Sequence, residues 1–370
     1  MKNPVDNAKV GVDRRSFMKT GLMVGGAAAI GGGLLATGTS ARAQERGRLN
    51  AGDTAILRFL AAAELIEADL WTQYAELGGL TSGQPIEVDP NQTLNAYQTA
   101  LSNLDSDGPQ YITSNTLDEL SHAHFLNAYL ESRGGEKVNF EQFRTLAGST
   151  ATGSSGKKRL TNLMHLNVDT SWYTRYRSAK NPDFGATFPQ AITLNNVTAI
   201  PITNADFNNV DRIQVIANTA GFHFGYIEQG GSSLYAIMSQ KVTDPEVLMI
   251  TLGIGGDEIA HFLEWVDFAG NGVQPTVAPV TDPTNGVTFP NFFDPLNPAI
   301  QPSLIFPVPC EFISPELPKV SIIRPLTDRF GGAVATIESF TAGGLFDGQS
   351  NKFLETLAVM AAEADAACRS

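Results

Sequence analysis

Two copies of one short motif constrain this chain more than any other feature. Glu119-Leu-Ser-His122 and Glu258-Ile-Ala-His261 share the pattern Glu-x-x-His, and both lie in segments that predict helices. Residues three positions apart lie on the same side of a helix, so each motif directs a carboxylate and an imidazole toward one point. Each motif is therefore typical of half of a transition-metal site. The alternative interpretation is two exposed helical Glu–His pairs that bind no metal.

Each motif follows another apolar segment that carries a glutamate. Glu64 lies in the segment before the first motif and Glu228 in the segment before the second, and an aromatic residue, Trp71 or Tyr235, follows each glutamate after seven positions. The chain is thus an internal repeat, in which a helix with Glu precedes a helix with Glu-x-x-His twice. Six ligands from four helices are the pattern of a carboxylate-bridged site for two metal ions in a four-helix bundle.

These segments resemble the ferritin-like superfamily, and residues 216–270 resemble in particular its desiccation-related or stress-response branch. The resemblance covers roughly residues 53–135 and 208–270. It implies a ferritin-like four-helix bundle. The fold class that we expect is mainly α, with a long crossover insertion in the bundle and, from the prolines after residue 272, an irregular Pro-rich C-terminal extension. The resemblance also implies six metal ligands: Glu64, Glu119, His122, Glu228, Glu258 and His261.

Two further residues are candidates for an alternative metal ligand and for a hydrogen-bond partner of a ligand. Glu67 lies about 60° around the helix from Glu64 and could replace it as the ligand from the first helix. His223 precedes Glu228 by five positions and could hydrogen-bond a ligand, although a packed or solvated histidine is the simpler interpretation.

Glycines are concentrated around Glu228 and before Glu258. Glycine in a helix interior costs about 1 kcal/mol relative to alanine. These residues either mark a break in the helices or let two helices approach closely: Gly221, Gly225, Gly230, Gly231, Gly253, Gly255 and Gly256.

The ligand types favour iron or manganese. Four carboxylates and two imidazoles suit these metals, whereas two cysteines are too few for a thiolate-rich zinc or iron–sulfur site. The expected cofactor is therefore two iron or two manganese ions, with peroxide or dioxygen as the small oxidant. Cys310 and Cys368 form an even pair that could make one disulfide in an oxidising compartment.

The N-terminus predicts export. Arg14 and Arg15 precede the apolar run 20–37, and Ala41-Arg42-Ala43 is a small-x-small cleavage site. Residues 1–43 are therefore interpreted as a twin-arginine signal peptide, whose partner is the twin-arginine export machinery. That machinery carries folded proteins, so the mature chain is expected in the periplasm or outside the cell.

Composition limits the other partners. Loss of residues 1–43 changes the formal net charge from −13 to −17, which argues against nucleic acid and anionic membranes. A hydrophobic content of 42% in a chain of this length can bury a full core. The composition is compatible with a homo-oligomer.

The predicted organisation has three parts: the signal peptide at 1–43, the bundle at 44–271 with an insertion at 136–209, and the Pro-rich extension with a last helix at 272–370. Turn signals predict a loop between residues 78 and 114, with the second bundle helix over 114–132. Residues 140–146 predict a short helix, and 351–367 predict the last one.

The function that these features favour is redox protection outside the cytoplasm. The protein would be a non-haem oxidoreductase with two metals, similar to a peroxidase, catalase or ferroxidase. The alternative is a stress or desiccation protein without catalysis, whose metal site is structural or empty.

Overall fold

The computed structural model describes residues 47–77, 80–81, 84–85, 95–101, 108–154, 156–175, 190–266, 279–290, 314, 316–318 and 332–368. The chain divides into two units after Arg48, and all described helices and strands belong to the unit Leu49–Ser370. Arg14 and Arg15 of the predicted signal peptide lie outside the described residues.

The described part of the chain is mainly helical, which confirms the predicted α class. Six helices are longer than one turn: α1 (Ala51–Ala75), α2 (Gly108–Ser132), α3 (Val210–Lys241), α4 (Pro245–Val266), α5 (Ala333–Ala342) and α6 (Asn351–Ala366). Among the helices in the described ranges, none is long and apolar enough to cross a bilayer.

The four longest helices pack as two pairs. α1 lies along α2 and α3 lies along α4, while α1 also contacts α3 and α2 contacts α4. Three residues join α3 to α4, so these two helices are antiparallel neighbours. α6 covers another face of α1. α1 and α3 are consequently buried almost all round, which explains why apolar and small residues occupy nearly every face of both.

Local residues define the starts of α1 and α3. The side chain of Asn50 accepts a hydrogen bond from the backbone N–H of Asp53, and the side chain of Asn209 accepts from the N–H groups of Asp211 and Arg212. An N-cap of this kind satisfies backbone donors that the helix cannot pair. The first turns of both helices are therefore determined by their own sequence.

The helices differ from the sequence-based predictions in three respects. α2 begins at Gly108, six residues before the predicted start. The helix predicted at 140–146 is replaced by a 3₁₀ turn, Glu141–Phe143, and α5 is an additional helix. The glycines of α3 do not interrupt it, since the helix continues from Val210 to Lys241.

The segment between α2 and α3 contains short elements. It holds a helical turn, Trp172–Arg175, and a 3₁₀ helix, Asn204–Asn208. The described strands form four antiparallel pairs, two of them in this segment: β1 (Leu80–Thr81) with β2 (Gln84–Pro85), β3 (Leu146–Ala147) with β4 (Lys158–Arg159), β5 (Leu166–Val168) with β6 (Leu194–Val197), and β7 (Val280–Thr281) with β8 (Thr288–Phe289).

Buried charges attach this segment to α1. The carboxylate of Asp69 accepts hydrogen bonds from the backbone N–H of Leu160 and of Thr161, and it pairs with Arg144. Arg159 pairs with Glu76 at 2.5 Å in a buried position. A buried charge that loses its partner is costly, so these pairs hold the segment in one position on the helix.

Part of the predicted Pro-rich extension is described. The β7–β8 hairpin is bound to α3 through Arg212, whose Nη1 lies 2.7 Å from Oδ2 of Asp282. Cys368 is exposed, and its expected partner Cys310 lies outside the described residues. The disulfide stays a prediction.

Asp365 of α6 connects three helices. Its carboxylate accepts hydrogen bonds from the backbone N–H groups of Gly332, Ala333 and Val334 at the start of α5, and from Nζ of Lys241 at the end of α3. Burial opposes ionisation of Asp365, but the hydrogen bonds from these donors outweigh it and lower its pKa from 3.8. The start of α5 is thus capped by a residue of another helix.

We expect Asp365→Ala to lower the free energy of unfolding by about 2 kcal/mol, because a cap and a charged hydrogen bond are lost together. Urea denaturation at pH 7 measures this change. A carboxylate with a lowered pKa stabilises the fold above its ordinary pKa of 3.8 and loses that effect as the pH falls below it. The difference from wild type should therefore shrink in acid. Glu363→Ala, at an exposed position of the same helix, is the control, and equal losses in both variants would contradict the role of Asp365.

Candidate metal centre

The six side chains predicted as ligands lie together between the four longest helices. α1 and α3 contribute one glutamate each, and α2 and α4 contribute one glutamate and one histidine each. The four glutamates are 0% exposed and the two histidines at most 8%: Glu64, Glu119, His122, Glu228, Glu258 and His261.

Their ligand atoms converge in two groups, and within each group all atoms lie within 4.8 Å of one another. The larger group comprises Glu64, Glu119, His122 and Glu258. The smaller group comprises Glu119, Glu228 and His261. Because Glu119 belongs to both, the two groups are adjacent and share a carboxylate.

Both imidazoles face the carboxylates through Nδ1. Nδ1 of His122 lies 3.4 Å from Oε2 of Glu64 and 3.4 Å from Oε2 of Glu119. Nδ1 of His261 lies 3.2 Å from Oε1 of Glu119 and 3.2 Å from Oε2 of Glu228. The two histidines therefore have equivalent orientations in the two halves of the repeat.

Two aspartates lie behind the histidines. Nε2 of His122 is 3.2 Å from Oδ2 of Asp257, and Nε2 of His261 is 3.2 Å from Oδ2 of Asp118. An Nε2–H that donates to a carboxylate leaves the Nδ1 lone pair free for a metal. The Glu-x-x-His spacing does not identify these aspartates, but an aspartate precedes the glutamate in both motifs, and that longer repeat is the signal for them.

Two aromatic side chains also make hydrogen bonds between the two halves of the repeat. Nε1 of Trp71 on α1 donates a hydrogen bond of 2.8 Å to Oε1 of Glu228 on α3. The hydroxyl of Tyr235 on α3 donates to Oε1 of Glu64 on α1. Each aromatic residue orients the carboxylate of the other half, so the spacing of seven positions has a structural reason.

The concentration of buried acid changes the protonation of the carboxyl groups. Burial, followed by the charge of Glu119, raises the pKa of Glu258 well above its ordinary value. Burial, followed by the charge of Glu64, raises the pKa of Glu119 to about 8. The cluster thus holds more negative charge than its surroundings stabilise.

The histidines respond in the opposite direction. Burial disfavours the protonated form of His122, but hydrogen bonds to Asp257, Glu119 and Glu64 outweigh it and raise the pKa to about 12. Burial also opposes protonation of His261, and the charge of Glu228 and a hydrogen bond to Asp118 raise its pKa. Protons on the imidazoles supply positive charge that the carboxylates require.

Four carboxylate oxygens are poorly supplied with hydrogen-bond donors. Both oxygens of Glu258 have no hydrogen-bond partner, while Oε2 of Glu64 and Oε1 of Glu119 have an imidazole Nδ1 at 3.4 and 3.2 Å, respectively. A buried acceptor without a donor costs about 1–3 kcal/mol, and such groups are rare in native proteins. A bound cation would satisfy all four oxygens, so the residues fit a metal ion.

A glycine of α3 provides the space for one carboxylate. A Cβ atom on Gly231 would overlap the carboxylate of Glu258. Similarly, a Cβ on Gly255 would lie 2.7 Å from Cβ of Tyr235. These two glycines therefore allow close approach of α3 and α4, whereas Gly253 faces open space.

The two additional candidates lie outside the described groups of converging ligand atoms. Glu67 is buried near the cluster, and burial, followed by the charge of Glu119, raises its pKa well above the ordinary value. His223 is also buried, and its Nδ1 lies 2.6 Å from the hydroxyl of Tyr74. Burial lowers the pKa of His223 to about 3.

Comparison with known proteins identifies no relative, since no protein family, no curated protein and no solved structure matches the chain. What the site does is therefore inferred from its own residues and geometry.

We expect Gly231→Ala to weaken metal binding at least about tenfold, because the new methyl group displaces the Glu258 carboxylate. The overlap should also lower the free energy of unfolding by about 1–3 kcal/mol. Titration with Mn²⁺ in competition with a chelator measures the first effect, and urea denaturation of the metal-free protein measures the second.

Gly253→Ala is the matched control. It should leave Mn²⁺ affinity unchanged and raise the free energy of unfolding by about 0.5–1 kcal/mol, the ordinary gain in an open helical position. Equal Mn²⁺ affinity of the two variants would show that Glu258 is not a ligand.

Proposed function

We propose that the four longest helices form a ferritin-like bundle that binds two iron or two manganese ions and reacts with peroxide or dioxygen. The observation that carries this proposal is the pair of ligand groups joined by Glu119. One shared carboxylate, with at least one further carboxylate and one imidazole on each side, is the donor arrangement of a two-metal centre.

The donor chemistry supports iron or manganese. Carboxylates and imidazoles are hard-to-borderline ligands, and the described cluster contains no sulfur. The charge of four ionised carboxylates would balance the charge of two divalent cations, with both imidazoles neutral and without a proton on Nδ1. Such ions would be held by the oxygens of Glu258, by Oε2 of Glu64 and by Oε1 of Glu119, because neutral imidazoles would offer the last two oxygens no donor at Nδ1.

When bound, the metal pair would supply two-electron exchange with a small oxidant. The protein's own residues would hold the pair and control its surroundings. Asp118 and Asp257 fix the histidine tautomers, while Trp71 and Tyr235 fix two carboxylates.

The cellular role that fits this chemistry is protection against oxidants during oxidative or desiccation stress. Export of the folded chain by the twin-arginine machinery, to the periplasm or beyond, is part of the same proposal. Export after folding would let the protein acquire its metal in the cytoplasm.

A second candidate function is favoured by the burial of the cluster. The six ligands are almost inaccessible, and only Asp118 and Asp257 behind the histidines are substantially exposed, at 39% and 42% of their side chains. A closed site suits a metal that stabilises the fold without catalysis. The protein would then be a non-catalytic stress or desiccation protein.

Metal content distinguishes the shared ligand from the others. We expect about two iron or manganese ions per wild-type chain, as for other bundles of this kind. Glu119→Gln should lose most of both ions because it removes the carboxylate common to the two groups, whereas Glu228→Gln should lose mainly one. Elemental analysis of purified protein measures these contents.

Glu131→Gln is the control for metal content, because Glu131 is exposed on the same helix as Glu119. It should keep the wild-type content. Metal-free wild type, or normal loading of Glu119→Gln, would contradict the proposed centre.

Peroxide consumption separates the two functions. Protein loaded with iron or manganese should consume hydrogen peroxide at a rate that depends on the metal, and His261→Ala should abolish it because a ligand is lost. Metal that binds only the folded state also stabilises it, by about 2.7 kcal/mol at about 100 times Kd. If chelation lowers the melting temperature while peroxide consumption stays at background, the site is structural.

A further inference from the structure

A series of aromatic contacts begins at the metal centre and leads away from it. Trp71, hydrogen-bonded to Glu228, contacts Tyr74 edge-on at a ring separation of 5.8 Å. The hydroxyl of Tyr74 then lies 2.6 Å from Nδ1 of His223. All of these side chains are buried, with Trp71 and Tyr74 at 0% exposure and His223 at 2%.

The series continues toward α5. The ring of His223 lies 6.0 Å from the ring of Tyr226. The hydroxyl of Tyr226 is hydrogen-bonded to Oγ of Ser339, a half-buried residue of α5. The contacts therefore extend from a proposed ligand to a helix that reaches the surface.

Packing alone does not explain the polar pair within this series. Burying a hydroxyl and an imidazole costs free energy that a phenylalanine and an apolar residue would avoid. Burial raises the pKa of Tyr74 and lowers that of His223 to about 3, so both groups are neutral. With the Nε2–H tautomer of His223, the Tyr74 hydroxyl donates to Nδ1.

A neutral tyrosine beside a neutral histidine has a specific redox property. A phenol that loses one electron becomes a strong acid and releases its proton. In a buried position this requires a base within hydrogen-bonding distance, about 2.6–3.2 Å. His223 is such a base for Tyr74, and Trp71 connects the pair to the cluster.

We propose that Trp71, Tyr74 and His223 form a redox relay that removes oxidising equivalents from the metal centre. This inference rests on the proposed function. With metal held by Glu119, Glu228 and His261, the reaction with peroxide would supply the one-electron oxidant.

Each transfer in the relay conserves electrons and protons. Trp71 loses one electron to the oxidant, and Tyr74 restores that electron to Trp71. As Tyr74 is oxidised, its O–H bond breaks and an N–H bond forms at Nδ1 of His223. The products are the reduced oxidant, unchanged Trp71, a neutral Tyr74 radical and a His223 imidazolium.

The relay is reset from the surface. A small thiol near α5 gives one electron, which tunnels to Tyr74 through the packed ring of Tyr226 while the Tyr226 O–H bond stays intact, and the proton of the oxidised thiol goes to solvent. The proton on His223 then returns to the Tyr74 oxygen. The ligands and Trp71 are left unmodified, while the oxidising equivalent leaves the core as a thiyl radical.

The first experiment uses the metal-free full chain, so that it does not depend on the metal centre. A light flash ionises tryptophan, and transient absorption follows the tryptophan radical as it decays and the tyrosine radical as it appears. Wild type should form the tyrosine radical. In Tyr74→Phe no tyrosine radical should appear at the rate seen in wild type. His223→Gln should slow the appearance of the tyrosine radical at least about tenfold, since the base is lost.

Tyr97→Phe is the matched control because Tyr97 is a buried tyrosine outside this series. It should behave like wild type. Tyr74→Phe keeps the ring that packs against Trp71, and urea denaturation verifies that each variant is folded. Identical decay of the tryptophan radical in wild type and Tyr74→Phe would overturn the relay.

The second experiment uses chain loaded with manganese or iron and mixed with hydrogen peroxide. Rapid freezing and electron paramagnetic resonance should detect a tyrosine radical in wild type and none in Tyr74→Phe of equal metal content. If metal binds and peroxide is consumed but no radical forms, the relay does not serve the centre and the proposal fails. If peroxide is not consumed although the metal-free relay operates, the proposed function fails instead.

Discussion

The rest of the structure depends on four fully buried glutamates at the centre of four helices. An ionised carboxylate in such a position costs several kcal/mol unless opposite charge and hydrogen bonds compensate. The neighbouring side chains provide part of that compensation: two imidazoles, an indole N–H and a phenol O–H contact the carboxylates. Both oxygens of Glu258 still have no hydrogen-bond partner, and the cluster could hold a cation.

Much of the site could be predicted from sequence because its spacing is local. A glutamate and a histidine three positions apart must face the same way on any helix, so the two motifs predict two half-sites before packing is known. The start of α2 could also have been found, since Gly108 is followed by Pro109, and proline favours the first turn of a helix. The α5 helix could not, because the cap at its start comes from Asp365, more than thirty residues later.

The partners of the ligands depend on packing between distant segments. Asp118 and His261 are separated by 143 positions, and Trp71 and Glu228 by 157. Local periodicity contains no information about which of these side chains meet. The same applies to the choice between Glu64 and Glu67, which lie on one side of α1 and differ only in how α2 and α4 approach them.

The crosswise contacts between the two halves have a consequence for folding. Each half of the repeat lacks the groups that orient its own ligands: Glu64 requires Tyr235, and His122 requires Asp257. Neither half can therefore complete one of the candidate ligand groups by itself, although each contains a full Glu-x-x-His helix. Contacts that span such long loops form after the local helices, because closing the loop costs entropy that only docking repays. The six side chains consequently come together late in folding, when the pair α1–α2 docks on the pair α3–α4. A half-length chain could bring an equivalent set together only by pairing with a second half-length chain.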